Sequence, residues 1–273
     1  GINKTEAYKE LYKLAGVEYK NSDQGDTDNP IKKLLSIAES FDIFRNEDGS
    51  LYVRMDGHEI VKLNSTDFKR KLKSIYYNET GKTPLKTQLD DAVDLLYTQN
   101  TKSQKHKLNM RVAKHENKIY LDLCDDHGNV VEIKKEGWNI IQNPPVYFER
   151  RPGMLPLVKP ERNGSLDDLK QVLNFQNEEQ WRLIVGWIFG TLMVDRPFPV
   201  LSITGSKDSG KSNTTEIIRN IIDPHSSKRR SLPTNENNLK VAAQNSYILA
   251  FDNIRNISQS LSDNLCIVST GGS

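Results

Sequence analysis

Only two cysteines occur in the 273-residue chain, Cys124 and Cys266, and they lie far apart. They offer no disulfide framework, so a reducing cytoplasm is the default location. No apolar run approaches the ~18 residues a membrane helix needs. The best candidate, 181–194, is flanked by charge and reads as a buried helix, so no membrane partner is expected. No signal peptide opens the chain. Charge of one sign is also missing: 38 Lys and Arg against 36 Asp and Glu leave a formal charge of +2, which does not mark a strongly basic nucleic-acid binder. No internal repeat is visible. Gly1 stands where a Met would, as a tag scar does, and 270–273 stop without a closing element, so the chain is expected to be a fragment. Its length suits one large or two ordinary domains.

What is present is organised around residues 200–222, VLSITGSKDSGKSNTTEIIRNII. Residues 200–204 are apolar or β-branched and short, which predicts a buried strand. Gly205, Ser206, Lys207, Asp208, Ser209, Gly210, Lys211 and Ser212 then fit G-x-x-x-x-G-K-[ST]. Ile217, Ile218, Ile221 and Ile222 recur at helical spacing, and Pro224 disfavours helix in the residue before it. A loop that wraps a triphosphate must turn successive N–H groups inward, and Gly205 and Gly210 supply bends that other residues adopt at a cost. The following helix offers its positive end to phosphates. Lys211 would reach the β- and γ-phosphates of ATP, Ser212 would ligate Mg²⁺, and the expected nucleotide-binding set runs from Gly205 through Asn213. A chance Gly/Ser loop is the bland alternative; the flanking strand and helix argue against it.

A second apolar run, 247–251, ends in Asp252, about forty residues downstream of the loop. A P-loop site needs a carboxylate at the end of a neighbouring strand to hold Mg²⁺, which makes Asp252 the second metal residue beside Ser212. Asn253 follows where many hydrolysing motors carry Glu. An amide orients a water or senses the γ-phosphate but takes no proton, so the general base is left open between Asp263 and a residue beyond 273. The catalytic set read here is Lys211, Asp252 and Asn253.

Upstream, a weak helical pattern covers 4–14, 21–29 is an acidic loop, and Pro30 begins a helix. Runs at 41–44, 51–55 and 58–63 predict a small antiparallel sheet. Helices follow from Asn64-Ser65-Thr66-Asp67 and over 85–97, a combination compatible with a winged-helix-like module. Lys62, Lys69, Arg70, Lys71 and Lys73 read first as a solvated face and second as a phosphate-contacting one. After a lysine-rich linker, strands are expected over 108–113, 118–123, 130–133 and 139–142. Five prolines between 144 and 160 make 143–163 an extended strap. Ser165 caps one helix, and Asn177 starts another that is expected to pack on several sides against the nucleotide-binding sheet. Cys124-Asp125-Asp126-His127 has too few ligands for structural zinc and reads as a hairpin turn. Lys228-Arg229-Arg230 and Arg255 read as solvated, or as facing DNA or a neighbouring subunit.

From about residue 108 to its end the chain resembles the ATPase region of replication proteins carried by phages, plasmids and chromosomal islands. These are superfamily-3-like or AAA+-type helicases, often within primase–helicase proteins. The resemblance rests on RVAKHENKIYLDLCDDHG, GW followed by PPVYFERRPGMLPL, GSLDDL, EEQWRLIVGWIFG, ITGSKDSGKS, LPTNENNLKVAAQNSYILAFDN and LSDNLCIVSTGGS. It implies a hexameric translocase that hydrolyses ATP between subunits around single-stranded DNA, with Asp252-Asn253 matching the family's Asp-Asn. Thr270-Gly271-Gly272 resembles the start of the family's DNA-facing hairpin, and the sensor asparagine and arginine finger are absent from this sequence.

The expected fold is thus α/β, a P-loop NTPase core of AAA+ type over 164–273, incomplete at its C-terminal side. A β-rich region with the proline strap (101–163) and an N-terminal α+β region (1–100) precede it. The expected function is the ATP-driven motor of a mobile-element replication helicase. A non-catalytic, ATP-dependent initiator or loader is the alternative. A GTPase would carry N-K-x-D and a small-molecule kinase a lid; neither is recognisable.

Overall fold

The computed structural model describes residues 29–55, 59–194, 196–233, 235–254 and 256–270. The expected helix over 4–14, nearly all of the acidic loop over 21–29, and the readings on Gly1, Arg255 and the Gly271-Gly272 pair lie outside them. The described chain forms two units. The first takes residues up to Asp42 together with Leu63–Lys102, and the second takes Ile43–Lys62 together with the residues from Ser103 onward.

Three helices make the first unit. Helix α1 (Pro30–Ala38) has proline in its first turn, where a missing N–H costs nothing, and the Asn29 side chain accepts from the Ile31 and Lys32 amides. Between β-strands that belong to the second unit and helix α2 (Thr66–Thr80), Ser65 supplies the cap by accepting from Phe68 N at 3.2 Å. That helix stops at Gly81, whose positive φ of 68° suits a glycine C-cap. Helix α3 (Lys86–Gln99) follows. α1 packs on both partners, burying Leu34, Ile37 and Ala38 with Phe68, Leu72, Leu89, Val93 and Leu96 in the same unit. On the basic face of α2, Lys69 reaches Asp90 of α3 at 2.6 Å and Arg70 reaches Asp67.

Strands β1 (Asp42–Arg45), β2 (Leu51–Arg54) and β3 (Ile60–Lys62) form a three-stranded sheet in that order, which belongs to the second unit from Ile43 onward. The turn between the first two is made at Gly49, with φ +85°. Short β4 (Leu108–Asn109) pairs in parallel with β9 (Tyr147–Phe148), which lies within the proline strap. Between them β5 (Val112–His115), β6 (Lys118–Asp122), β7 (Val130–Lys134) and β8 (Gly137–Ile141) form an antiparallel meander, with Tyr120 opposite Glu132 and Val131 opposite Ile140. Then come α4 (Leu166–Val172), α5 (Glu178–Gly190), α6 (Lys211–Ile222), β10 (Arg230–Ser231), α7 (Glu236–Gln244), β11 (Phe251–Asp252) and α8 (Gln259–Thr270).

Three expectations change. Residues 200–204 have no ladder partner among the described residues, so they are not a strand. Their side chains still alternate: Leu201 and Ile203 pack inward, whereas Val200 is 67 % exposed. The second apolar run is a strand only at its last two residues, Phe251 and Asp252, because β10 is just two residues long and a ladder extends only as far as its partner. Helix α5 packs on one side: it buries Ile184 and Ile188 and leaves Leu183 and Phe189 exposed.

Candidate functional site

The loop 205–210 is built for tight backbone curvature. Gly210 takes φ +80° and Asp208 φ +61°. At Gly205 the constraint is space, since a Cβ would lie 2.8 Å from Ser209 Oγ. Asn174, in the α4–α5 connection, steadies the loop by donating from Nδ2 to the Ser209 carbonyl at 3.0 Å. The approach to the loop is held from both sides. Trp187 Nε1 donates to Pro199 O at 2.7 Å, and Phe198 N donates to Ser269 O of α8 at 2.7 Å.

Helix α6 starts at Lys211 behind Gly210, and no side chain caps it. Its neighbours in the unit differ: Ser165, Asn177 and Asn235 cap α4, α5 and α7. The first-turn amides of α6 therefore keep donor capacity that the fold elsewhere satisfies with side chains. Lys211 curls into the bend, where Nζ donates to Gly205 O at 2.9 Å, to Ser206 O and to Ser209 Oγ at 3.3 Å. Ser206, Lys207, Asp208 and Asn213 are exposed around it.

One turn of helix and one short strand bring Ser212 and Asp252 together across the intervening sequence. Ser212 Oγ donates to Asp252 Oδ2 at 3.1 Å. Asn253, with φ +57°, turns its backbone N–H onto Asp252 Oδ1 at 2.8 Å, and the residue is otherwise exposed. Arg229, on the strand-ward side of the 223–230 loop, donates from Nη1 to Asp252 Oδ2 at 2.7 Å. Burial by itself would push the Asp252 carboxyl up. The bonds from Asn253 N–H and Ser212, with the Arg229 charge, outweigh it and hold the group below the ordinary carboxylate range. Asp263 is engaged on its own helix, accepting from Gln259 Nε2 at 3.0 Å.

Arg229 and Asn174 are members of this cluster that residue-type reasoning does not single out. The basic run is not a free patch: Lys228 pairs with Glu216, Arg229 with Asp252, and Arg230 Nε donates to Ser227 Oγ at 3.2 Å. Beneath it Arg219 is buried and donates from Nη1 to Ser227 O at 2.5 Å and to Lys228 O at 3.0 Å. Its pKa is depressed by burial, against the pull of Asp223.

Behind the site stands a buried ion pair. Arg111 Nε meets Asp223 Oδ1 at 3.1 Å, and both side chains are 0 % exposed. Its other nitrogens donate to the carbonyls of Asp122, Leu155 and Pro224. The second Asp223 oxygen accepts from Ile248 N at 2.9 Å, so one carboxylate ties the end of α6 to the segment leading into β11. The acidic turn after β6 is structural. Asp125 accepts from the His127 and Asn129 amides, and Arg150 grips Asp122 with two nitrogens at 2.9 and 3.1 Å. Burial raises the Cys124 thiol pKa, with Asp122 adding to the effect.

Among the described residues no helix is long and apolar enough to cross a membrane. Residues 166–273 match the model of a family described as actinomycete integrative conjugative element replication protein. The matched stretch runs from α4 to the end of the chain and contains every residue of the cluster around Lys211 and Asp252. In this stretch the chain is similar to a replication protein of a mobile element. No curated protein and no solved structure matches the chain.

Proposed function

We propose that the 205–212 loop and Asp252 bind ATP with Mg²⁺ as the P-loop site of an AAA+-type α/β core. In this reading the chain is the motor part of a mobile-element DNA replication protein, a helicase whose copies surround single-stranded DNA, six to a ring. The observation that carries the proposal is the 3.1 Å contact between Ser212 Oγ and Asp252 Oδ2 beside the Lys211-filled bend. The contact is the one that the pairing of Ser212 with Asp252 as metal residues requires.

The residues fit the group. Ser212 and Asp252 are an all-oxygen pair, the donor type that Mg²⁺ selects. The uncapped first turn of α6 provides backbone donors for an anion, and Gly205 leaves no room for a side chain where the loop bends. When bound, the metal would neutralise charge developing on the β- and γ-phosphate oxygens. Lys211 would exchange the carbonyls of Gly205 and Ser206 for phosphate oxygens, a better match for an ammonium. Asn174 keeps the loop in its curved form by holding the Ser209 carbonyl. Asn253 presents an amide and no proton-accepting carboxylate. The helicases that the chain resembles carry the same Asp-Asn pair, so the amide leaves the motor reading in place; an initiator or loader in which ATP drives assembly is the second reading.

Binding of a fluorescent ATP analogue to the purified chain tests the nucleotide site. Removal of one charge-assisted contact is worth roughly 1.5–3 kcal/mol, so Lys211→Ala is expected to weaken binding about 10–100-fold without unfolding. Equal affinity for wild type and Lys211→Ala overturns the assignment. In the complete protein, hydrolysis stimulated by single-stranded DNA distinguishes the motor from the loader.

A further inference from the structure

Arg229 and Ser212 converge on the same oxygen of Asp252. Arg229 Nη1 lies 2.7 Å from Oδ2 and Ser212 Oγ lies 3.1 Å from it. The cation of the nucleotide reading would ligate that serine and that carboxylate. A guanidinium and a divalent ion cannot both lie against one carboxylate oxygen without strong like-charge repulsion, because only a few ångströms would separate them. Arg229 is not there by the chance sweep of a long side chain. Its backbone directly precedes β10, whose parallel register sets Arg230 beside Phe251 and Ser231 beside Asp252. Arg230 N donates to Ala250 O at 3.0 Å, and Arg219 holds the carbonyls of Ser227 and Lys228 from below. The flanking cations are committed elsewhere, Lys228 to Glu216 and Arg230 to Ser227. The loop therefore delivers one cation of the three to the carboxylate, and with 35 % of its side chain exposed Arg229 has room to leave.

We propose that Arg229 is a positioning residue that competes with the divalent cation for Asp252, so that metal-loaded nucleotide must displace it. The inference rests on the nucleotide reading above and adds to it an internal counter-ion. Without metal, Arg229 neutralises Asp252 and lessens the repulsion between that carboxylate and incoming phosphates. With metal, the same ion pair opposes loading. Arg229 thus lowers the dependence of nucleotide binding on the divalent ion from both directions.

The readout is a ratio that needs no turnover: affinity for a fluorescent ATP analogue in saturating Mg²⁺ divided by affinity in EDTA, measured on the full chain. In Arg229→Ala the ratio is expected to rise at least threefold, through tighter binding with Mg²⁺, weaker binding in EDTA, or both. Arg229→Lys keeps a cation on the loop and is expected to stay closer to wild type than Arg229→Ala does. A merely structural role for Arg229 would move both affinities together and leave the ratio where it was. An unchanged or smaller ratio in Arg229→Ala, with wild type binding normally, overturns the competition and leaves the nucleotide site standing. Wild type that binds the analogue in neither condition overturns the nucleotide reading, and this inference falls with it.

Discussion

His225 is a buried side chain, 4 % exposed, caught between two chain segments. Its Nδ1 accepts from Ser227 N at 3.0 Å, and Gly153 leaves the space its ring fills: a Cβ there would lie 2.4 Å from Cε1. The charged groups that face it are Arg219, Asp223 and Arg230. Burial is the largest influence and lowers its pKa; the two arginines act in the same direction and Asp223 opposes them. A proton on Nδ1 would also meet the Ser227 N–H head-on. The folded protein therefore refuses a proton that the unfolded chain accepts near pH 6.5. Stability linked to this group is fully present above that pH and is lost as pH falls toward the lower folded value. The carboxylates held below their ordinary range, Asp90, Asp125, Glu132 and Asp252, lose their contribution at lower pH still. Between pH 7 and 5 the decline in urea midpoint is therefore expected to be shallower in His225→Gln than in wild type. Parallel pH profiles would remove the histidine from the account. Residue type does not flag His225, since a lone histidine after Pro224 carries no spacing signal. Lys211, Ser212 and Asp252 can be picked out by type and spacing, because phosphate and metal chemistry restricts what stands there. Arg229 is one of three adjacent cations, and only the β10–β11 register tells it from its neighbours.

At the scale of elements, helix limits are readable where a local device sets them. Ser65, Ser165 and Asn177 cap the helices they were expected to open, because a cap is chemistry within three residues. The last three strands of the meander are readable for the same reason, with Gly128 in one turn and Gly137 at the start of β8, but the expected strand over 108–113 is broken where Arg111 takes φ 59°: its first two residues form β4, which pairs with β9, and its end opens β5. Strand character over 200–204 and 247–250 is not readable, because a ladder needs a partner that the run itself does not specify. Nor does anything near Arg111 announce that it will be wholly buried, since its partner Asp223 is 112 positions away. That pair joins the turn before β5 to the C-terminal end of α6. Substituting Arg111 by Met would leave the Asp223 charge without its main partner in the interior, a change that costs about 3–5 kcal/mol. Arg111→Met is expected to lower the unfolding free energy by that amount in urea titrations. Adding Asp223→Asn should restore part of it, since the amide oxygen still accepts from Ile248 N without a buried charge. A cost below about 1 kcal/mol for the single variant, or strict additivity of the two, contradicts this account of the pair.

For the molecule as a whole, the informative feature is that Ile43–Lys62 groups with the residues after Ser103 and not with its sequence neighbours. A division at about residue 100 follows composition, whereas the contacts follow the aromatic cluster. Phe44, Tyr52 and Ile60 are buried together, with Leu108 and Tyr147 packed against them, and the Phe44 and Tyr147 ring centroids are 4.5 Å apart. Backbone bonds join the same segments: Arg45 N to Gln104 O at 3.0 Å and His106 N to Arg45 O at 2.8 Å. Arg45 Nε adds a bond to Ser103 O at 2.9 Å. A fragment of residues 103–273 would hold every residue of the nucleotide site and yet lose this packing. Loss of the Phe44 contacts alone is comparable to a core Phe→Ala change, about 3–5 kcal/mol. At roughly 2–4 °C per kcal/mol for a protein of this size, the fragment is expected to melt about 6–20 °C below the 29–273 fragment. Leu108 and Tyr147, stripped of their cover, should also bind an apolar dye that 29–273 does not. Equal melting temperatures and equal dye binding would mean that the Phe44 cluster contributes nothing to the second unit, and that the division near residue 100 describes the molecule better than its contacts do.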